Sequence, residues 1–254
     1  MGRLSFRDRD RPGEADAGDG MLSGLHALLA VSTRADADEL LDSGTLTARE
    51  VEGNLADLAR LNRLPGGTAT SVRAIRSLVN GAGGASILDA GTGRADMPIA
   101  FARAGWRTVA VDANPQVVRV ARRATERHAE IEVVDGDARR LPFADDAFDV
   151  AHCSLLLHHL DPDEAVAALR ELARVARRGV VVNDLRRGTV SLLATVASTA
   201  ILARSRVTRA DGLVSARRAY TVAELDRLLE RAGLRRRWRS PAWMPRVVTA
   251  AVPS

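Results

Sequence analysis

Two glycines and three carboxylates stand out in this chain by their placement. The segment Ile87-Leu88-Asp89-Ala90-Gly91-Thr92-Gly93-Arg94-Ala95-Asp96 runs from apolar residues through both glycines to an acid. Glycines let a backbone turn sharply and approach a ligand closely. Asp112 and Asp137 follow at the ends of two further apolar runs. Carboxylates so placed can accept hydrogen bonds from sugar hydroxyls and from a ring amino group. A dinucleotide site asks for G-x-G-x-x-G, with the pyrophosphate on the first turn of the helix. Asp96 occupies the third glycine position here. Its charge repels a pyrophosphate and its bulk crowds the strand–helix contact. The wall of the binding cleft is therefore expected from Asp89, Gly91, Thr92, Gly93, Asp96, Asp112, Ala113, Asp137, Ala138 and Ser154.

A second group of reactive residues falls where a substrate should sit. His158 and His159 follow the fourth apolar run, and an imidazole there can take a proton near neutral pH. Asn183, Asp184, Arg186 and Arg187 follow the fifth run, with Asp184 as a base or polar clamp and the arginines as partners for an acidic or phenolate group. His158, His159 and Asp184 are the candidate catalytic residues. The bland reading of each is a polar loop residue. Arg217, Arg218 and Tyr220 fit packing or solvent contact better than a pocket. Cys153 is the only cysteine, so neither a disulfide framework nor a cysteine metal cluster is expected, and no metal ligands are assigned.

The elements that must position these residues are legible as texture. Residues 1–20 are polar and charged and read as a disordered tail. Residues 21–80 read as a helical cap, with a capping box at Thr47 and Glu50 and a second helix over 70–80. Beyond a glycine-rich linker at 81–84, runs at 86–90, 108–111, 131–134, 148–151 and 180–182 alternate with amphipathic helices. Such alternation implies βαβ units and a parallel sheet. A detour over about 185–220 contains an apolar helix, at 189–205, that could roof a hydrophobic pocket. Thr221 and Glu224 then open a last helix, and runs at 234–239 and 247–252 can pair as a hairpin.

Bulk composition narrows the function further. The 37 basic residues are all arginine, and the net charge is a modest +5 with acids interspersed. Aromatics make up 3% of the chain, few for a protein that stacks bases. No nucleic-acid partner is expected. The run Arg235, Arg236, Arg237 and Arg239 reads as a solvated strand edge. No apolar stretch reaches membrane-spanning length and no signal segment is visible, so a cytoplasmic monomer or homodimer without membrane contact is the expectation.

S-adenosylmethionine is a nucleoside cofactor without phosphate, and its ammonium suits acids near the glycine turn. At this point the chain resembles the class I methyltransferases that use it, in the group with ubiquinone- and menaquinone-biosynthesis enzymes. The motifs, in order, are Leu88-Asp89-Ala90-Gly91-Thr92-Gly93, Val111-Asp112, Asp135-Gly136-Asp137-Ala138, Leu141-Pro142-Phe143, Phe148-Asp149-Val150 and Leu157-His158-His159-Leu160. The resemblance implies a Rossmann-like, doubly wound α/β fold with seven strands, the last antiparallel, within residues 81–254. It also implies in-line attack of a substrate nucleophile on the sulfonium methyl. More loosely, Asn183-Asp184-Leu185-Arg186-Arg187, Asp211-Gly212 and Arg217-Arg218-Ala219-Tyr220-Thr221 are similar to small-molecule methyltransferases found beside type III polyketide synthases. That implies methylation of oxygen, with carbon as the other candidate, on a phenolic, quinone or polyketide acceptor. An NAD-type oxidoreductase and a non-catalytic binding protein of the same fold remain alternatives.

Overall fold

The computed structural model describes residues 33–35, 37, 39–79 and 84–254, all within one compact unit spanning 31–254. The expected tail, the first part of the helical cap and most of the linker lie outside the described residues.

Seven strands build the sheet: β1 (Ser86–Ala90), β2 (Arg107–Asp112), β3 (Ile131–Asp135), β4 (Val150–Ser154), β5 (Val180–Leu185), β6 (Leu234–Arg239) and β7 (Arg246–Pro253). Their order is β3-β2-β1-β4-β5-β7-β6. The first five run parallel, and β7 runs antiparallel to both β5 and β6. The chain therefore starts in the middle, winds outward to β3, and crosses back to β4. A crevice opens at the carboxyl ends of β1 and β4, where the winding reverses. Helices cover both faces, which explains the uninterrupted apolar runs. Along β1, Ile87 packs with Phe101, Trp106 and Val181 on one face, and Leu88 packs with Leu169, Leu172 and Val182 on the other.

Two expected strands are shifted. The fourth begins at Val150, and Phe148 makes only an isolated bridge to Ala176. The Asp149 carboxylate is spent on the Ser86 N–H, which anchors the strand's entry. The fifth continues through Asn183 and Asp184 because β7 pairs with it as far as Leu185 opposite Arg246. Those polar residues read as a loop in sequence, but burial on both faces holds them in the strand.

Eight α-helices are described: α1 (Ala48–Leu61), α2 (Thr68–Val79), α3 (Asp96–Arg103), α4 (Pro115–Thr125), α5 (Pro162–Val175), α6 (Thr189–Leu202), α7 (Arg206–Arg218) and α8 (Val222–Arg231). The Thr47–Glu50 box caps α1, which packs Val51 and Leu55 onto Val117 and Val120 of α4. Helix α2 starts two residues earlier than expected. At Gly67 an added Cβ would lie 2.0 Å from the Asn62 carbonyl oxygen, so only glycine makes this turn. Arg235, Arg236 and Arg237 are exposed on the edge strand β6, as expected, and Asp226 pairs with Arg236 and Arg239. No helix among the described residues is long and apolar enough to cross a membrane.

The detour forms two helices instead of one, and the inward face of α6 carries hydroxyls beside the buried Leu192. Ser191, Thr195 and Thr199 are buried, while Val190, Leu193, Val196 and Ile201 are exposed. Thr199 Oγ1 bonds back to the helix's own Thr195 carbonyl at 2.9 Å, whereas Ser191 Oγ has no hydrogen-bond partner among the described residues. The buried Asp57 of α1 fixes the α6–α7 junction by accepting from Arg204 N at 2.9 Å and Ser205 N at 2.7 Å.

Candidate active site

A cavity of about 750 Å³ opens at the switch point, and all ten residues expected of the binding cleft line it. Gly91 has φ 70°, and a Cβ there would come within 3.1 Å of the Leu156 side chain. Its bare backbone faces the cavity while the Gly91 and Thr92 N–H groups donate to Val111 O. Asp112 ends β2, with Oδ2 accepting from Gly93 N at 3.1 Å and Oδ1 from Asn114 N at 3.0 Å. Burial pushes its pKa up, and these N–H groups restrain the shift. Asp96, at the start of α3, accepts from Asn62 Nδ2 at 2.9 Å, and burial raises its pKa too. A carboxylate thus stands where a dinucleotide would seat its pyrophosphate.

Two of the carboxylates are already engaged by the protein. Asp89 accepts from Thr92 Oγ1 at 2.7 Å and meets His152 Nδ1 at 2.6 Å. His152 continues to Ser71 Oγ at 2.9 Å, which Asn183 Nδ2 also reaches at 2.8 Å. This buried chain locks α2 against β1, β4 and β5, so Asp89 is a structural hub as well as a wall residue. Asp137 is clamped by the Arg139 side chain, which lowers its pKa. Beside it, Ala138 lines the wall. The buried Ser154 Oγ has no hydrogen-bond partner among the described residues. An orphaned hydroxyl, a bare glycine turn and a buried carboxylate without a basic partner fit an unphosphorylated nucleoside with polar substituents.

A smaller cavity of about 280 Å³ adjoins the first and shares Leu41, Leu58, Leu155 and His159 with it. Its wall is largely apolar, with Leu61, Leu64, Pro65 and Trp243. Helix α6 does border it, through Ala194, Thr195, Ser198 and Thr199, so the roof carries hydroxyls. Leu155, between the cavities, holds φ 54°, a left-handed conformation costly for a side chain of its size.

The histidine pair stands at this junction. His158 Nδ1 lies 2.5 Å from Asp184 Oδ1, and Asp184 also accepts from the N–H groups of Leu157 at 2.8 Å and Leu185 at 2.7 Å. Burial pushes the Asp184 pKa up, but His158 and these bonds outweigh it and the carboxyl lies below its usual range. Asp184 lines neither cavity. It positions His158 and touches no substrate space. Arg218 donates to the carbonyls of His158 and His159, Arg34 to those of His158 and Leu160, and Tyr220 to Leu160. The residues read as packing thus hold the backbone of the pair. Arg187 turns instead to Glu224 and the Ala219 carbonyl, and Asn183 to Ser71. The strand-end polar residues expected to face the substrate are mostly structural.

Three residues in and around the two cavities carried no sequence signal. Glu39 is 4% exposed, with Oε1 3.5 Å from His158 Nε2 and Oε2 3.8 Å from His159 Nε2. His152 sits inside an apolar strand. Arg246 opens β7, lines the smaller cavity and donates to Asn62 Oδ1 at 2.5 Å. Burial lowers its pKa to about 10, against the pull of Asp184 and Asp96.

Comparison with known proteins agrees with this geometry. A methyltransferase domain family matches residues 87–179. The demethylmenaquinone methyltransferase of Mycobacterium marinum is 37% identical over 126 residues, covering 49% of this chain and 52% of that protein. That of Streptomyces avermitilis is 32% identical over 169 residues, covering 62% and 69%. The chain spans about half the length of the first curated relatives it matches. The magnesium protoporphyrin IX methyltransferase of Synechocystis, solved with bound SAH, shares the fold at TM-score 0.54 and 24% identity over 74% of this chain and 84% of that one. Residues 87–179, matched by the methyltransferase domain family, contain the glycine turn, Asp112, Asp137 and the histidine pair. The chain belongs to the class I S-adenosylmethionine-dependent methyltransferases, in the group that includes the menaquinone and ubiquinone enzymes.

Proposed function

We propose that this protein transfers the methyl group of S-adenosylmethionine to an oxygen of a small phenolic, quinone or polyketide acceptor. The carrying observation is the pair of adjoining cavities, polar and carboxylate-lined on one side, apolar on the other, meeting at Leu155 and His159. The cofactor supplies an electrophilic methyl on a sulfonium. Asp112 is placed to take the ribose hydroxyls, and Asp137 with Ala138 the adenine edge. Ser154 and the Gly91 turn flank the methionine part.

The acceptor's ring lies against Leu58, Leu61 and Leu64, and Arg246 offers a cation to an acidic substituent. Much of the acceleration comes from holding nucleophile and methyl in line. A hydroxyl acceptor must give up its proton for the methyl to be transferred, and Glu39, His158 and His159 line the cavity in which that hydroxyl would sit. Quinone-type acceptors are named for the curated relatives, and the leucines of the smaller cavity suit such a ring.

Calorimetric titration with S-adenosylhomocysteine tests the cofactor half. Folded protein that fails to bind it at millimolar concentration refutes the proposal. Radiolabelled methyl transfer to a series of phenols and hydroquinones tests the acceptor half. An acidic phenol should lose more kcat/KM than its methyl ester when Arg246→Gln is introduced. Equal losses would remove Arg246 from acceptor recognition.

A further inference from the structure

We infer that Glu39, His158 and His159 form a site for one divalent transition metal ion of the zinc type, with an open coordination position facing the acceptor cavity. One carboxylate oxygen and one ring nitrogen from each histidine all lie within 4.8 Å of one another. The separations of 3.5 Å from His158 Nε2 to Glu39 Oε1 and 3.8 Å from His159 Nε2 to Glu39 Oε2 are too long for hydrogen bonds. They are close to the roughly 3.4 Å edge of a tetrahedral site with bonds of about 2.0–2.1 Å.

Two independent features support a ligand here. Glu39 is 4% exposed, yet its Oε1 has no hydrogen-bond partner among the described residues. A buried carboxylate oxygen without a partner is expensive unless a cation completes it. On the far side of His158, Asp184 Oδ1 holds Nδ1 at 2.5 Å and so presents Nε2 toward Glu39. That carboxylate–imidazole arrangement is the usual support of a metal-bound histidine, fixing its tautomer and orientation. Two imidazoles and one carboxylate leave a vacancy for water or substrate, which is the pattern of catalytic zinc and of open iron(II) sites.

The role of the ion rests on the methyl-transfer reading. An acceptor hydroxyl entering the open position binds as its conjugate base, because the ion lowers its pKa. The O–H proton goes to cavity water. The oxygen then attacks the sulfonium methyl: the S–CH3 bond breaks, the O–CH3 bond forms, and the neutral ether leaves the ion. No electron changes hands, so the ion needs no redox partner. Acceptors with a second oxygen one or two carbons away, which can chelate, are favoured over isolated phenols.

The test uses tag-free full-length protein stripped with a chelator. Zn²⁺ titrated calorimetrically should bind one equivalent with a Kd below about 1 μM, and Co²⁺ should give the strong visible bands of a four-coordinate site. Glu39→Gln should weaken Zn²⁺ at least tenfold, and Asp184→Asn should weaken it about 10- to 100-fold by releasing His158. Binding of S-adenosylhomocysteine, measured in the same samples, reports folding and the cofactor site separately, since Glu39 does not line that cavity. Wild-type protein that binds the nucleoside but no Zn²⁺ overturns the metal site and leaves the methyltransferase reading standing. Equal Zn²⁺ binding by wild type and Glu39→Gln also overturns it, by placing the ion elsewhere.

Discussion

Replacing Asp112 by asparagine separates cofactor binding from folding. Each carboxylate oxygen already accepts one backbone N–H, from Gly93 at 3.1 Å and from Asn114 at 3.0 Å. Each has lone-pair capacity left for a ribose hydroxyl. Asparagine keeps one acceptor oxygen and sets an amide NH2 against one of the two N–H groups. The free protein loses one hydrogen bond, about 1 kcal/mol. It also sheds a charge that burial disfavours, since the folded state raises this pKa. These opposing effects leave the ligand-free stability nearly unchanged.

The complex has no such compensation. Bonds to charged groups contribute about 1.5–3 kcal/mol each, and one ribose hydroxyl loses its acceptor while the other keeps a neutral one. A loss of about 2–4 kcal/mol follows, or roughly 30- to 1,000-fold in affinity. Calorimetry with S-adenosylhomocysteine, alongside thermal unfolding without ligand, reads both quantities. Asp135→Asn is the control: that carboxylate ends the neighbouring strand β3, is more than half exposed and pairs with Arg122. It should leave affinity unaltered. An Asp112→Asn protein with native melting and an affinity within about threefold of wild type would show that the ribose lies elsewhere.

Two other substitutions probe the frame. Burial raises the Asp96 pKa, so the folded state favours the neutral acid. Whatever stability this group contributes is present below the ordinary carboxylate range and lost as pH rises through the raised folded value. At neutral pH the charge is a cost, and Asp96→Asn, which keeps an acceptor for Asn62, should raise Tm by about 2–4 °C. That advantage should shrink on acidification. A lower Tm at pH 7 refutes the sign. Asp57→Ala removes the acceptor for Arg204 N and Ser205 N and takes away the carboxylate that pairs with Arg60. It should cost about 2–4 kcal/mol in urea unfolding and speed amide exchange at 204–205. A change under about 0.5 kcal/mol would mean that water replaces the carboxylate at the α6–α7 junction.

The sheet was legible because its physics is local. A strand buried on both faces shows as an unbroken apolar run, and Val180-Val181-Val182 can hardly be read otherwise. Capping boxes at Thr47 and Thr221 are written within four residues and appear where expected. Where pairing came from afar, the reading slipped. Asn183 and Asp184 look like a loop until β7 arrives from the end of the chain to hold them extended. Helix α6 looks like an apolar roof, because a sequence cannot say which side of a helix meets a partner. Its inward Thr199 hydroxyl is satisfied by the helix's own Thr195 carbonyl, so a polar side chain could turn inward beside Leu192.

The residues of the larger cavity could be anticipated from the sequence and those of the smaller one could not, for a reason built into the topology. Parallel strands deliver their carboxyl ends to one edge, so Asp89, Asp112, Asp137 and Ser154 reach one cavity by standing at or just beyond the ends of β1 to β4. The acceptor side has no such rule. Glu39 comes from before the first helix, His158 and His159 from after β4, and Arg246 from the start of β7. What assembles them is a set of side-chain-to-backbone bonds. Arg34 comes from the N-terminal segment and Arg218 from α7, and both donate to the His158 carbonyl. The position of the imidazoles thus depends on two segments that line up only once the chain is folded. Arg34 lines neither cavity and so reaches the site only through this backbone, whereas Arg218 also lines the larger cavity.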